Sequence, residues 1–293
     1  MDRIKTLFGP AGGSDRFREQ GHKSTIEAPK WLAGIGLDAF EYSAGRGVAV
    51  SETTARAIGA AAKENGTFMS LHAPYYINCA APEPDKRENS IRYLLESAKA
   101  CNFMGGDRVV FHVGSPKKQD RDIAHQLSKD TVTRALHVLA EEGLSHIHLC
   151  PETMGRPSQL GSLDETLDIC LLDEGIIPTL DFGHLHTVGL GALNEIEDFE
   201  SIVKRMIEVL GFERAQRFHA HFSRIEYTAK GEKRHWRFED TQFGPEFSML
   251  APVLIAYNLT PTIICESAGT QDIDALAMKS TYAALLTAST HLL

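Results

Sequence analysis

The sequence predicts an α/β protein, a (β/α)8 TIM barrel with residues 1–293 in a single domain. Three observations carry this expectation. Short apolar runs alternate with amphipathic stretches of helical spacing, the pattern of a parallel sheet covered by helices. Eight such strand-then-helix units follow one another, and eight is the number that closes a barrel. The length of 293 residues suits one such barrel, for which about 250 residues is typical. An open doubly wound sheet is the rival architecture, and no linker or shift of composition divides the chain.

The elements follow in order. Arg3 to Phe8 is a β-prone run broken by Gly9-Pro10-Ala11-Gly12-Gly13, and Ile26 to Leu32 has helical spacing. Asp38 to Tyr42 gives the second strand; Ser51 resembles an N-cap for a helix reaching about Asn65. Phe68 to Leu71 is the third strand and Lys86 to Phe103 its helix. Arg108 to Phe111 and Arg121 to Glu142 form the fourth unit, His146 to Cys150 and Asp164 to Leu172 the fifth. Ile176 to Asp181 is the sixth strand, followed by a helix from Glu195 to Leu210. Arg217 to Phe222 is the seventh, followed by a long polar loop from Ser223 to Gly244. Pro245 suits the start of a helix from Glu246 to Tyr257. Thr262 to Cys265 and Asp272 to Leu292 complete the eighth unit.

Composition narrows the class. Hydrophobic residues make up 43% and charged residues 24%, ordinary for a soluble globular protein. The net charge of −9 gives no hint of an extended basic surface. No apolar stretch is long enough to span a bilayer, and MDRIKTLFGPAGG lacks the apolar core of a signal peptide. The five cysteines are odd in number and unclustered, which fits reduced thiols and a cytoplasmic protein without membrane partners. None forms a C-x-x-C pair, so any metal must rely on histidines and carboxylates.

Barrel active sites lie at the C-terminal ends of the strands. Six consecutive strands end in, or carry near their ends, a residue that can bind a divalent ion: His72, His112, Glu152, Asp181, His219 and Glu266. Each alone is more often a loop or core residue. Together they converge on one mouth, where without a cation their charges would be crowded and poorly paired. Three histidines, two glutamates and one aspartate exceed the needs of one tetrahedral zinc and suit a two-metal cluster with a bridging carboxylate. Zinc fits the mixed N/O set, with manganese and iron as alternatives. His184, three residues past Asp181, and His235, in the long seventh loop, could complete a third site. A divalent ion lowers the pKa of bound water to about 7, and a pair of ions neutralises charge that builds up on a phosphoester.

At this point the chain resembles endonuclease IV over nearly its whole length. The resemblance lies in Leu71-His72-Ala73-Pro74-Tyr75-Tyr76-Ile77-Asn78, in Phe111-His112-Val113-Gly114-Ser115 and in Pro151-Glu152-Thr153-Met154-Gly155 with Leu160-Gly161. Asp181-x-x-His184, His219 with its strand, Arg234-His235 and Cys265-Glu266 add to it. The resemblance implies that His72, His112 and Glu152 hold one ion and that Glu152 bridges to a second, held also by Asp181, His219 and Glu266. His184 and His235 would hold a third. It implies a zinc-dependent apurinic/apyrimidinic endonuclease in which Glu152 and Glu266 are catalytic. Such enzymes cut damaged double-stranded DNA on the 5′ side of an abasic deoxyribose. Tyr75 and Tyr76 stand where the family pushes side chains into the minor groove. Arg46, Lys117, Lys118 and Arg156 lie in loops on the same face and are candidate phosphate contacts. A monomer is expected, because DNA must cover the barrel mouth.

Two departures bear on the third ion. Lys233 stands where the family has an aspartate ligand, and a protonated lysine cannot ligate. The seventh strand reads His219-Ala220-His221-Phe222-Ser223-Arg224 where the family has x-Asn-Asp after its histidine. His186, His221, Glu232 and Asp240 are the residues that could substitute as a ligand. The rival function is a sugar isomerase or epimerase on the same barrel, with one ion held by Glu152, Asp181, His219 and Glu266 and the two glutamates as acid and base. His72 and His112 would have no purpose in such a site. A non-catalytic binder of damaged DNA is a third reading, which no lost ligand supports.

Overall fold

The computed structural model describes residues 5–290. Eight parallel strands form the barrel: β1 (Leu7–Pro10), β2 (Ala39–Ser43), β3 (Phe68–His72), β4 (Arg108–His112), β5 (His148–Glu152), β6 (Thr179–Asp181), β7 (His219–Phe222) and β10 (Thr262–Cys265). Between β7 and β10 lies an antiparallel hairpin, β8 (Arg224–Thr228) and β9 (Gly231–Trp236). The helices are α1 (Asp15–Glu19), α2 (Ala28–Gly34), α3 (Glu52–Asn65), α4 (Pro84–Phe103), α5 (Arg121–Glu141) and α6 (Leu163–Cys170). They continue as α7 (Phe182–Val188), α8 (Ile196–Leu210), α9 (Phe212–Ala215), α10 (Phe247–Ala256) and α11 (Gln271–Thr290). None of the described helices is long and apolar enough to cross a membrane.

Seven of the eight seams are ladders in the order β1-β10-β7-β6-β5-β4-β3-β2. The eighth, between β1 and β2, closes by isolated bonds: Asp38 N donates to Phe8 O at 2.8 Å, and Gly12 N to Glu41 O at 2.9 Å. Gly9 makes that seam feasible, because a Cβ there would overlap the Ala39 carbonyl. The barrel is therefore closed, and the open-sheet alternative falls away.

Helix boundaries follow local chemistry. Ser51 caps α3 by accepting from Thr54 N, and Gly66 ends it in the left-handed region at φ 67°. Ser162 and Glu165 form a capping box at the start of α6. Glu165 also takes a two-pronged ion pair from Arg121 at 2.6 and 2.8 Å, tying the starts of α5 and α6 together. The apolar faces of the helices close on the strands around Phe8, Leu71, Phe111, Phe182, Phe218 and Phe222, each fully buried.

The expected elements recur with shifts: the first strand runs Leu7–Pro10, into residues expected as loop, and the sixth is shortened to three residues. The loop expected from Ser223 to Gly244 is the real departure, since it holds the β8–β9 hairpin. The beginning of the expected first strand, Arg3 and Ile4, and the end of the expected last helix, His291 and Leu292, lie outside the described residues.

Glu165 gives the fold a pH signature. Partial burial opposes its charge, but Arg121 and the backbone N–H groups of Ser162 and Gly161 outweigh this and hold the carboxyl at about 2. A folded value below the ordinary 4.5 contributes stability that is present above the ordinary value and lost as pH falls toward about 2. Glu165→Gln is therefore expected to lower the melting temperature at pH 7, and the gap to wild type is expected to narrow on acidification. Thermal melts from about pH 2.5 to neutral pH check this; a gap that stays constant would contradict it.

Candidate metal centre

Parallel strands end on one face, so the residues at their C-terminal ends converge. Glu152, at the end of β5, is the hub and is 1% exposed. Its Oε2 lies 3.2 Å from His72 Nε2 and 3.1 Å from His112 Nε2, at the ends of β3 and β4. Its Oε1 lies 2.9 Å from His221 Nδ1 on β7. Glu266, which follows β10, brings Oε2 to 3.6 Å from the same nitrogen. Two groups therefore share one carboxylate: His72, His112 and Glu152 on one side, and Glu152, Asp181, His221 and Glu266 on the other. Within each group the candidate ligand atoms all lie within 4.8 Å of one another.

Asp181 serves two roles at once. Its Oδ1 caps α7 by accepting from His184 N at 2.8 Å. The Asp181-x-x-His184 spacing is thus the spacing from a helix cap to the third helical residue, and it turns His184 toward the mouth. His184 Nδ1 faces the Thr153 carbonyl at 2.8 Å; a carbonyl only accepts, so this nitrogen carries a proton and Nε2 is the atom turned toward Glu232. His184 Nε2 lies 3.4 Å from Glu232 Oε2, and His235 Nε2 lies 4.0 Å from Glu232 Oε1. His184, Glu232 and His235 form a third group.

Outer partners orient the rings elsewhere too. His72 Nδ1 donates to the Ala73 carbonyl at 2.9 Å, and His235 Nδ1 meets the Ser223 hydroxyl at 2.8 Å. A ring fixed through one nitrogen presents the other as a ligand.

Two expected assignments change. His219 does not reach the mouth. It pairs with Thr179 across the β6 ladder while His221 pairs with Asp181, so His219 lies one inward-facing layer lower. Both rings point into the barrel because side chains alternate along a strand. The imidazole grouped with Asp181 and Glu266 is accordingly His221, whereas His219 contacts Glu41 Oε2 at 3.0 Å and joins Glu41 and His221 in a separate, fully buried group of possible ligands. The second change concerns Lys233. It turns away to ion-pair with Glu226, and Glu232 takes the position beside His184. A register shift in the hairpin explains this: Glu226 pairs with Arg234 but Tyr227 pairs with Glu232, leaving Lys233 as the extra residue of a bulge. The bulge lets Glu232 and His235, three apart, face the same way. Glu232 N also donates to Gly155 O at 2.8 Å, and Gly155 is required there, since a Cβ would stand 2.7 Å from the His184 ring and 2.9 Å from Glu232 Cβ.

Of the other suggested substitutes, His186 is buried with its Nδ1 accepting from Leu193 N, and Asp240 accepts from Arg237 N. Neither joins a ligand group. Glu41 is absent from the set expected from sequence. Its signal there is an acid between Phe40 and Tyr42 in an otherwise apolar strand.

The electrostatics fit a cation. Asp181 Oδ2 is buried without a hydrogen-bond partner. Burial, together with the charges of Glu266 and Glu152, pushes the Asp181 carboxyl up to about 6, with His184 opposing. Burial disfavours charge on His72, yet the hydrogen bond and charge of Glu152, with Glu41 and Glu266, raise it to about 9. An orphaned carboxylate oxygen in a mouth crowded with carboxylates and imidazoles is a donor set for a divalent ion, and mixed N/O ligands suit zinc, manganese or iron.

Members of all three groups, though not the buried Asp181 and His221, line a cleft of about 410 Å³ with Ser43, Tyr75, Arg156 and Gln159. Tyr75 is 61% and Tyr76 43% exposed on its rim. Arg46 follows Gly45, which lines the cleft, in the loop after β2. Residues 29–281 match the model of the xylose isomerase-like TIM barrel family. The chain belongs to that family. Within it, the chain is 33% identical over 90% of its length to an uncharacterised protein of Methanocaldococcus jannaschii, covering 92% of that protein. It is 27% identical to a probable endonuclease 4 of Mycoplasma genitalium over 58% of this chain and 57% of that one. Among solved structures, endonuclease IV of Thermus thermophilus superposes with a TM-score of 0.70 at 20% identity, covering 94% of this chain and 98% of that one. D-psicose 3-epimerase of Clostridium cellulolyticum superposes with a TM-score of 0.68 at 14% identity, covering 96% and 99%. The chain is thus a divergent relative of the endonuclease 4 proteins within the xylose isomerase-like TIM barrel family, and it shares its fold with a sugar epimerase.

If Glu232 replaces the missing carboxylate, its removal should cost one ion. Glu232→Ala is expected to bind one fewer zinc per chain than wild type, whereas Lys233→Ala retains the wild-type count. Elemental analysis after zinc loading and gel filtration checks both; equal counts in wild type and Glu232→Ala would contradict the assignment.

Proposed function

We propose that this protein is a metal-dependent hydrolase of phosphodiester bonds that incises damaged double-stranded DNA on the 5′ side of an abasic site. The observation that supports this best is the division of the Glu152 carboxylate between two ligand groups, with a third group beside them on the same cleft. A sugar epimerase needs one ion, and Glu152, Asp181, His221 and Glu266 would be enough for it. His72, His112, His184, Glu232 and His235 would then be surplus, and a cluster of surplus ligands in one mouth has no role in that chemistry.

In this reading His72, His112 and Glu152 would hold one ion, and Glu152, Asp181, His221 and Glu266 a second. His184, Glu232 and His235 hold the third. When bound, the ions supply Lewis acidity and lower the pKa of a coordinated water toward about 7, with zinc the first choice and manganese or iron alternatives. The protein's own part is to orient and to exclude. Glu266, with its side chain 18% exposed, is the ligand nearest solvent on the His221 side and faces the incoming phosphate. Arg156, on the cleft wall, counters charge on the backbone. Tyr75 and Tyr76 offer exposed rings at the rim, where a ring can fill the gap left by a missing base; flipping an abasic site costs little because no pair is broken.

The test is incision of a duplex carrying one abasic site by the zinc- or manganese-loaded protein. Wild type is expected to cut 5′ of the lesion. Glu266→Gln is expected to lower the rate by about 10²-fold or more, the scale of losing one electrostatic contributor to catalysis. Absence of cutting together with epimerisation of a ketose would favour the one-ion alternative.

A further inference from the structure

We infer that Glu41 is a positioning residue that fixes the proton of His221 on Nε2 and so presents Nδ1 to the metal centre. The inference rests on the metal-centre reading above, and it extends that reading to a layer of the barrel that holds no proposed ligand.

Glu41 lies on β2 and is fully buried. A carboxylate in a barrel interior is strongly destabilising unless its oxygens are satisfied. Its Oε2 receives two donors: Ser70 Oγ at 2.8 Å and His219 Nε2 at 3.0 Å. The direction of the second bond follows from the far side of that ring. His219 Nδ1 faces Arg108 Nη1 at 3.5 Å, and a guanidinium only donates, so Nδ1 is the acceptor and Nε2 carries the proton. Arg108 is itself anchored to the carbonyls of Phe218 and Arg217 at 3.3 and 2.8 Å.

With Oε2 occupied, Oε1 is left for His221. It stands 2.9 Å from His221 Nε2, off the line of a full hydrogen bond. Among the described residues, neither atom has another hydrogen-bond partner, and both are buried. His221 thus stands between carboxylates: Nδ1 donates to Glu152 Oε1 at 2.9 Å, with Glu266 at 3.6 Å, and Nε2 faces Glu41; with a cation at Nδ1 in place of that proton, the proton left on the ring is the one Glu41 holds at Nε2. The chain Arg108–His219–Glu41–His221 therefore converges on Glu41: Arg108 donates to His219, and His219 and His221 both turn a donor toward the carboxylate. Three of its members, Glu41, Arg108 and His219, stand outside the proposed ligand set. His219, where sequence places a ligand, instead directs the carboxylate that orients one.

Outer partners of ligating histidines typically contribute about 10–100-fold to metal affinity. The effect here should fall on one ion only, because His72, His112, His184 and His235 are not held by Glu41. The experiment is stepwise competition between a chromophoric chelator and zinc-loaded full-length protein, with zinc alone as the probe. Glu41→Gln keeps an acceptor oxygen and is expected to weaken one ion about 10-fold. Glu41→Ala removes it and is expected to weaken the same ion about 100-fold, with the remaining ions unmoved. In cobalt-loaded protein the same variants should change the visible absorption of one ion and leave the others. Ser70→Ala, which keeps the carboxylate but drops one anchor, should shift the same ion by a smaller factor and decides the matter if Glu41→Ala does not fold. Ions that weaken together, or affinities unchanged within about twofold in Glu41→Gln and Ser70→Ala, would overturn the inference. A wild-type chain that binds fewer than two zinc ions would instead overturn the metal-centre reading beneath it.

Discussion

Glu152 faces two ways, and the architecture of the mouth depends on that. One oxygen meets His72 and His112, the other meets His221, and the residue is almost completely buried. A buried carboxylate must be compensated on both oxygens, so the imidazoles on its two sides have to be held in place by independent means. They are: the Ala73 carbonyl holds one ring from outside, and the Glu41 carboxylate lies below another. Asp181 shows the strain of the arrangement. Buried, and beside Glu152 and Glu266, it can ionise only against their field, which is why its carboxyl lies near 6. A cation between these groups relieves that repulsion directly.

The barrel makes such crowding feasible. Strand ends from opposite parts of the chain are brought within a few ångströms by hydrogen-bond ladders that do not depend on the side chains at the mouth. The charge at the centre can therefore be high while the fold rests elsewhere, on the apolar layer between strands and helices. The short β1–β2 seam, with Gly9 against Ala39, is where the ring is thinnest, and Glu41 lies on that seam, its carbonyl accepting from Gly12.

Much of this is legible in the residues. An apolar run that ends in His, Glu or Asp identifies a strand terminus and a ligand together, and His72, His112, Glu152 and Asp181 lie at those termini, with Glu266 just beyond its strand. The seventh strand shows the limit of that reasoning. His219 and His221 have the same parity, so alternation places both inside the barrel, and only the register against Asp181 decides which reaches the mouth. Register is a relation between strands and is not written in either one. The hairpin shows a second limit. A bulge shifts every later side chain to the other face, so Lys233 and Glu232 exchange places through a single irregular residue. The short helix after Asp181 is hidden for a different reason: Phe182-Gly183-His184-Leu185-His186 has little helical periodicity, and its start is set by the Asp181 cap.

Formal charge bears on which substrate the mouth suits. Glu152, Asp181 and Glu266 carry three negative charges when ionised. One divalent ion among them leaves the centre net negative, which suits a neutral sugar and repels a phosphodiester. Two ions reverse the sign. A third ion with Glu232 adds two positive charges against one further carboxylate, and the histidines add ligands without adding negative charge. The more of the imidazoles are used, the more positive the floor of the cleft becomes. In a chain whose overall charge is −9, that local reversal is what would draw an anionic backbone to this face. The number of ions held, more than the barrel that holds them, therefore separates the two chemistries weighed for this cleft.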